Sequence, residues 1–236
     1  MSELVFRAEP YARSCEAVVE AAGDGWVELD RTVFYPTGGG QPGDCGRLIE
    51  GGTTSCPVVE AIKGEGLAVL HRLGEGATAP GVGTRLVAEI DWPRRHRLMR
   101  MHSALHLLCA AVGEPVTGGQ VGEDKGRLDF DVEGGALDKD AIAARIAAWV
   151  ADDRPIRERW IEAGELEQRP ELVRTLSVKP PRTGGRIRLI EIEGVDLQAC
   201  GGTHVRSTGE IGAVRIGKIE NKGRQNRRVN LAFAEG

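Results

Sequence analysis

Two pairs of soft-metal donors place the tightest constraint on how this chain can fold. His102 and His106 stand four residues apart in His102-Ser103-Ala104-Leu105-His106, and Cys200 and His204 stand four apart in Cys200-Gly201-Gly202-Thr203-His204. On a helix, positions i and i+4 share one face a turn apart, so two imidazoles at that spacing can grip a single ion. The second pair carries a thiolate, which favours zinc over magnesium or calcium, and its two glycines let the backbone bend until both side chains converge. Together they make a candidate His3Cys site. Histidines at this spacing on an apolar helix are also common as buried or capping residues. What favours a ligand role is economy, since the chain has only five His and five Cys and four of these ten fall at paired spacing. A metalloprotease helix is excluded, because it needs Glu directly after the first His as general base, and here that residue is Ser103.

At 236 residues the chain is long enough for two modest domains, each burying a core without disulfides, and we place them at residues 1–92 and 93–236. The cysteines Cys15, Cys45, Cys56, Cys109 and Cys200 are odd in number and scattered, which points to a reducing cytoplasm rather than to a disulfide framework. No basic start followed by an apolar run opens the chain, and no stretch approaches the length that crosses a bilayer, so no membrane anchor is expected. The net charge of −4 conceals an asymmetry: residues 1–92 hold 7 Lys and Arg against 14 Asp and Glu, and the remainder hold 24 against 21. A basic half suits an approach to a polyanion if its charge is clustered.

Residues 15–20, 25–30, 46–49, 57–62, 67–70 and 85–90 alternate or run apolar between Gly-rich turns, which predicts a small β-barrel. Within it, Phe34-Tyr35-Pro36-Thr37-Gly38-Gly39-Gly40-Gln41-Pro42-Gly43-Asp44 is the densest loop signal in the chain. Its glycines expose N–H groups that suit an anionic or carbonyl group, with Thr37 and Gln41 as polar contacts, although a plain hairpin loop would look similar. Asp91-Trp92-Pro93 ends the barrel and opens a helix to about Val112, with Leu98, Met101, Leu105, Leu108 and Val112 as its core face. Arg94, Arg95, Arg97 and Arg100 crowd its first turns, opposing the helix dipole, so an external partner is expected for them, although a solvated basic face would read the same way. Gly118-Gly119-Gln120-Val121-Gly122 reads as a turn, 127–132 as a strand, 137–150 as a helix capped by Asp138 with Ile142, Ile146, Trp149 and Val150 buried, and 155–161 as a strand. Residues 165–176 suit a short helix broken by Pro170, ahead of a loop at 180–185; strand 186–192 then leads to Cys200. The segments 212–220 and 228–233 read as a hairpin carrying Arg215, Lys218, Lys222, Arg224, Arg227 and Arg228, six cations in fourteen residues and the clearest footprint for phosphate in the chain. The expected class is α+β: a small N-terminal β-barrel followed by a two-layer α/β domain with an antiparallel sheet and a zinc site.

These motifs resemble, in matching order, the editing domain of alanyl-tRNA synthetase and its free-standing AlaX relatives: the helix His pair, the Cys-Gly-Gly-Thr-His run, the Phe-Tyr-Pro-Thr-Gly-Gly-Gly-Gln loop and the Arg-Leu-Asp-Phe-Asp strand. The resemblance spans most of the chain and implies a trans-editing deacylase that hydrolyses the ester of mischarged tRNA for alanine, the seryl ester first and the glycyl ester second. It implies Zn2+ on His102, His106, Cys200 and His204, and a barrel whose glycine loop, Gly38, Gly39, Gly40 and Gln41, lies near the editing pocket. Many relatives carry Gln-Lys-Gly-Ser after the first helix where this chain has Thr117-Gly118-Gly119-Gln120, and Gln120 is our candidate substrate contact there.

Four protein donors fill a tetrahedral shell, as in structural zinc sites. The reading therefore gives zinc a positioning role, with the backbone N–H groups of Gly201, Gly202 and Thr203 polarising the ester carbonyl. Thr37 is the candidate partner for a serine hydroxyl, because a site that hydrogen-bonds an OH discriminates better than one judging size. The expected partner is the acceptor end of tRNA for alanine, bound by a monomer. The alternative from another class is a non-catalytic, zinc-stabilised RNA-binding module. A Gly-Gly-Gln loop like that of peptide release factors is a weaker rival, because so short a motif arises easily among 33 glycines and leaves the metal donors unexplained.

Overall fold

The computed structural model describes residues 2–133, 136–174 and 182–234. It is an α+β protein that divides into two compact units, Met1–His96 and Arg97–Gly236.

In the first unit six strands close into an antiparallel barrel, in the order Ser14–Gly23, Trp26–Leu29, Val69–Leu73, Thr54–Lys63, Gly46–Glu50 and Arg85–Ile90, the last pairing back onto the first. Alternation fills its interior: Leu86, Ala88 and Ile90 point inward from one strand, and Val27 and Leu29 from another. Bulges at Val19/Ala21 and Val58/Glu60 bend the long strands, and closure leaves no edge exposed. The strand expected at 67–70 forms at Val69–Leu73 instead. Residues 64–68 are used by the turn, where Gly64 N–H donates to the Ala68 carbonyl and Ala68 N–H to that of Glu65.

The glycine loop is a built structure. Gly38 and Gln41 exchange both backbone hydrogen bonds at 3.0 Å, and Gly39 and Gly40, at φ +59 and +80, form the two-residue corner that positive φ permits. Gly43 is required for a different reason, since a β-carbon there would sit 2.0 Å from the Ala61 carbonyl oxygen. The Tyr35 hydroxyl donates to the Gly38 carbonyl, and the buried Asp44 accepts from Tyr35 N–H at 2.6 Å.

Helix Trp92–Val112 opens on Asp91, whose carboxylate accepts from Arg94 N–H at 3.1 Å and caps the first turn. Its arginines find partners inside the protein, which corrects the expectation of an external one. Arg95 is fully buried, paired with Asp44 and donating to the Val33 carbonyl at 2.7 Å. Arg94 donates to the Gly43 carbonyl, Arg97 pairs with Asp124, and Arg100 donates to the Ile211 carbonyl while lying over the Phe233 ring.

The core face of this helix is also wider than its 3-4 spacing suggests, because every residue from Met101 to Cys109 is buried. Gly126 of strand Lys125–Asp131 lies against Met101 and Leu105, so closely that a β-carbon would sit 2.9 Å from Leu105 Cδ1. Arg145 of helix Lys139–Ala151 donates to the Ala111 carbonyl, and Ser103 and His106 meet residues 196–205. A helix with neighbours on several sides is buried around its circumference.

Among its described residues the second unit holds two antiparallel sheets. One runs Val214–Asn221, Asn226–Phe233, Lys125–Asp131, Val116–Gln120; the other pairs Ile156–Glu162 with Arg186–Ile192, which also pairs with Arg182–Thr183 and Asp196–Ala199. Residues 118–120, expected in a turn, form the end of an edge strand. Pairing with residues 127–129 overrides the glycine signal, and Gly119 allows Leu128 to approach where a β-carbon would meet Cδ2 at 2.8 Å. Asp138 caps the second long helix through Asp140 and Ala141 N–H, with Ile142 and Ile146 buried and Trp149 and Val150 half-buried. The segment around Pro170 breaks into helix Ala163–Gln168 and the 3-10 turn Pro170–Leu172; residues 175, 176, 180 and 181 of the expected helix and loop lie outside the described residues.

Candidate metal centre

His102 and His106 project from one face of the buried helix, and strand Asp196–Ala199 delivers Cys200 to the same place. From Cys200 to Val205 the chain has no helix or strand of its own. Donor atoms of His102, His106, Cys200 and His204 all lie within 4.8 Å of one another, so the four form a cluster that can hold a metal ion. Cys200 Sγ is 3.5 Å from His102 Nε2 and 3.3 Å from His204 Nε2. The His204 ring centroid lies 4.3 Å from that of His102 and 4.6 Å from that of His106.

Neighbouring polar groups set the orientation of each donor. Asp196 Oδ2 lies 3.1 Å from His106 Nδ1 and accepts from Gln198 Nε2 at 2.7 Å, which leaves Nε2 of His106 for the cluster. Ser103 Oγ is 3.1 Å from His204 Nδ1 and accepts from Val205 N–H at 3.3 Å. Gly202 N–H donates to Cys200 Sγ at 3.4 Å. Burial alone would raise the Cys200 thiol, but the charge of His102 and the hydrogen bonds from His102 and His106 outweigh it and hold the thiol well below its ordinary 9.0. Burial and the His102 charge keep His204 neutral, well below 6.5. At His106 burial also opposes charge, yet the bonds to Asp196 and Cys200 lift the imidazole to about 9. Thiolate and imidazole together are the donor set of a soft or borderline metal.

The remaining candidate residues divide between the units. Gly201, Gly202 and Thr203 adjoin the cluster, with Thr203 buried. Gln120 is exposed at the end of its edge strand and accepts from Arg127 Nε at 3.3 Å. In the first unit the Thr37 hydroxyl donates to Glu60 Oε1 at 2.9 Å and accepts from Gly43 N–H at 2.7 Å, and Gln41 is buried.

The six cations of the C-terminal hairpin are not equivalent. Arg228 makes a two-pronged bond to Asp129, which holds that carboxyl below its usual range; Lys222 pairs with Glu220, and Arg227 donates to the carbonyls of Gly223, Arg224 and Asn226. Arg215, Lys218 and Arg224 are exposed, and no ion pair engages them among the described residues.

Asp196, Gln198, Ser103 and Arg188, all buried beside the candidate donors, carry no pattern that marks them in the sequence as site residues. The nearest thing to a signal is that Asp196 and Gln198 are polar residues at period two on a strand leading to a candidate ligand.

Comparison with known proteins fits this arrangement. The family described as the threonyl and alanyl tRNA synthetase second additional domain matches residues 187–230, which include Cys200 and His204, and that described as tRNA synthetases class II (A) matches residues 6–94. The chain is 37% identical to the alanyl-tRNA editing protein AlaX-M of Methanosarcina acetivorans, with 100% of both chains covered. It is 32% identical to the AlaX-M protein of Saccharolobus solfataricus over 97% of this chain and 98% of the relative. The alanine–tRNA ligase of Halorubrum lacusprofundi is 41% identical over 82% of this chain, a match confined to 21% of that ligase. With such identity along its whole length, the chain belongs to the AlaX-M family of alanyl-tRNA editing proteins.

Proposed function

We propose that the protein is a trans-editing deacylase, which hydrolyses the ester of tRNA for alanine carrying the wrong amino acid, serine first and glycine second. The observation that carries this reading is the full-length match to proteins named for alanyl-tRNA editing. The metal we assign is zinc. Zn–S of about 2.3 Å and Zn–N of about 2.0–2.1 Å in a tetrahedron set S···N edges of about 3.5 Å, and the cluster offers 3.3 and 3.5 Å.

Zinc held by His102, His106, Cys200 and His204 would have its tetrahedral shell filled, so its contribution would be to shape the pocket and position the substrate. The chain's own residues do the rest. Asp196 and Ser103 hold His106 and His204 in orientation, and the Cys200–Thr203 turn presents backbone N–H groups to a carbonyl oxygen. Gly202 N–H is directed at sulfur, which makes Gly201 the foremost of these donors. The Thr37 hydroxyl, with one donor and one acceptor role filled, retains a lone pair for a serine hydroxyl. Arg215, Lys218 and Arg224 contact phosphate of the acceptor end, and the protein acts as a monomer, a state that sedimentation checks directly.

The test is hydrolysis of seryl-, glycyl- and alanyl-tRNA for alanine by wild type and Cys200→Ala, with metal content measured for both. Rapid loss of the seryl ester with the alanyl ester spared, abolished in the variant, is the expected result. The closed four-donor set also suits a zinc-stabilised RNA-binding module without catalysis, and no ester loss at full zinc content would establish that reading instead.

A further inference from the structure

We propose that Arg188 is a positioning residue for the metal centre: its guanidinium holds the Cys200–His204 turn in ligating shape before an ion arrives. Arg188 lies on strand Arg186–Ile192 and is 6% exposed. Its Nη1 donates to the Cys200 carbonyl at 3.1 Å and to the Gly202 carbonyl at 2.9 Å, and its Nε donates to Glu158 at 2.8 Å. Its own carbonyl accepts from Cys200 N–H at 3.2 Å.

A peptide unit is planar and trans, so its C=O and N–H point in opposite directions. Fixing the Cys200 and Gly202 carbonyls on one nitrogen therefore fixes two peptide units of the turn, those on either side of the Gly201–Gly202 unit. The N–H of that intervening unit lies 3.4 Å from Cys200 Sγ, where it supports the thiolate. Two successive glycines would otherwise sample many conformations, because neither has a β-carbon to restrict it. A guanidinium suits the task and an ammonium does not: its planar fork serves two carbonyls and a carboxylate at once in a fixed geometry.

This rests on the metal reading of the site and not on its tRNA chemistry. The competing account makes Arg188 only the sheet partner of Glu158. The test measures zinc affinity by chelator competition in wild type, Arg188→Lys and Glu158→Gln, and records the thiolate-to-metal charge-transfer band of each protein loaded with Co2+. Arg188→Lys is expected to weaken zinc binding about 10- to 100-fold, the usual cost of losing a group that orients a ligand, and to alter the cobalt–thiolate band, while Glu158→Gln leaves both near wild type. A lowered thermal midpoint with affinity and band unchanged in Arg188→Lys would overturn the proposal. If Arg188→Lys does not fold, amide exchange in metal-free wild type decides: slow exchange at Gly202 supports the clamp, and exchange at the unstructured rate refutes it. None of these readouts involves tRNA, so an absence of deacylation would leave this inference standing.

Discussion

His71 lies fully buried inside the barrel, with Nε2 2.8 Å from the Thr32 hydroxyl and Nδ1 3.1 Å from the Val27 carbonyl. Burial lowers its pKa from 6.5 to about 4, only partly offset by the Val27 carbonyl. Between those values the unfolded chain binds a proton that the folded barrel refuses. The stabilisation is therefore complete above pH 6.5 and is lost as pH falls toward 4, by on the order of 3 kcal/mol in total. Urea denaturation across that range should show a shallower loss of stability in His71→Gln than in wild type, and parallel curves would refute the assignment. The same contrast between type and environment governs the metal centre. Spacing made His102, His106, Cys200 and His204 legible as candidate donors, whereas Asp196, Ser103 and Arg188 look like ordinary polar residues of a strand or helix until the fold buries them against that cluster.

Among the elements, helix Trp92–Val112 shows where periodicity stops being informative. Its 3-4 stripe located the helix and placed both histidines on one face, yet Leu107, off that stripe, is as fully buried as Leu108 on it. Leu107→Ala and Leu108→Ala should therefore each cost about 2–5 kcal/mol, from lost transfer energy and the cavity left behind. A one-sided helix would instead show a large effect at Leu108 and almost none at Leu107, a difference that chemical denaturation resolves. The arginines of the first turns carry the same lesson. Their charge read as an outward-facing signal, but Asp44 and Phe233, distant in sequence, answer Arg95 and Arg100 within the protein, and Arg97 meets the exposed Asp124 at the surface. Gly118 and Gly119 likewise read as a turn because local preference favours one, and the ladder to residues 127–129 outweighs that preference.

For the whole molecule, the proposed encounter with RNA depends on which cations remain outside internal ion pairs. Replacing Arg215, Lys218 or Arg224 by Ala should weaken tRNA binding regardless of the amino acid carried, and lower the slope of log affinity against log salt by about one per charge removed. Arg228→Ala should instead destabilise the sheet by removing the two-pronged bond to Asp129 and leaving that carboxylate to Arg127 alone, and filter binding across a salt series beside thermal melts separates the two outcomes. Sequence alone was enough for the α+β class, the barrel, the principal helices and the four residues that gather as candidate metal donors. Those depend on local periodicity, turn chemistry and side-chain type, which short stretches of chain carry in full. Only the tertiary structure decided which arginines are used internally, how far around its circumference the central helix is buried, and which groups orient the donors. Each of those is a contact between residues far apart in the chain, fixed by the packing of whole elements rather than by any local pattern.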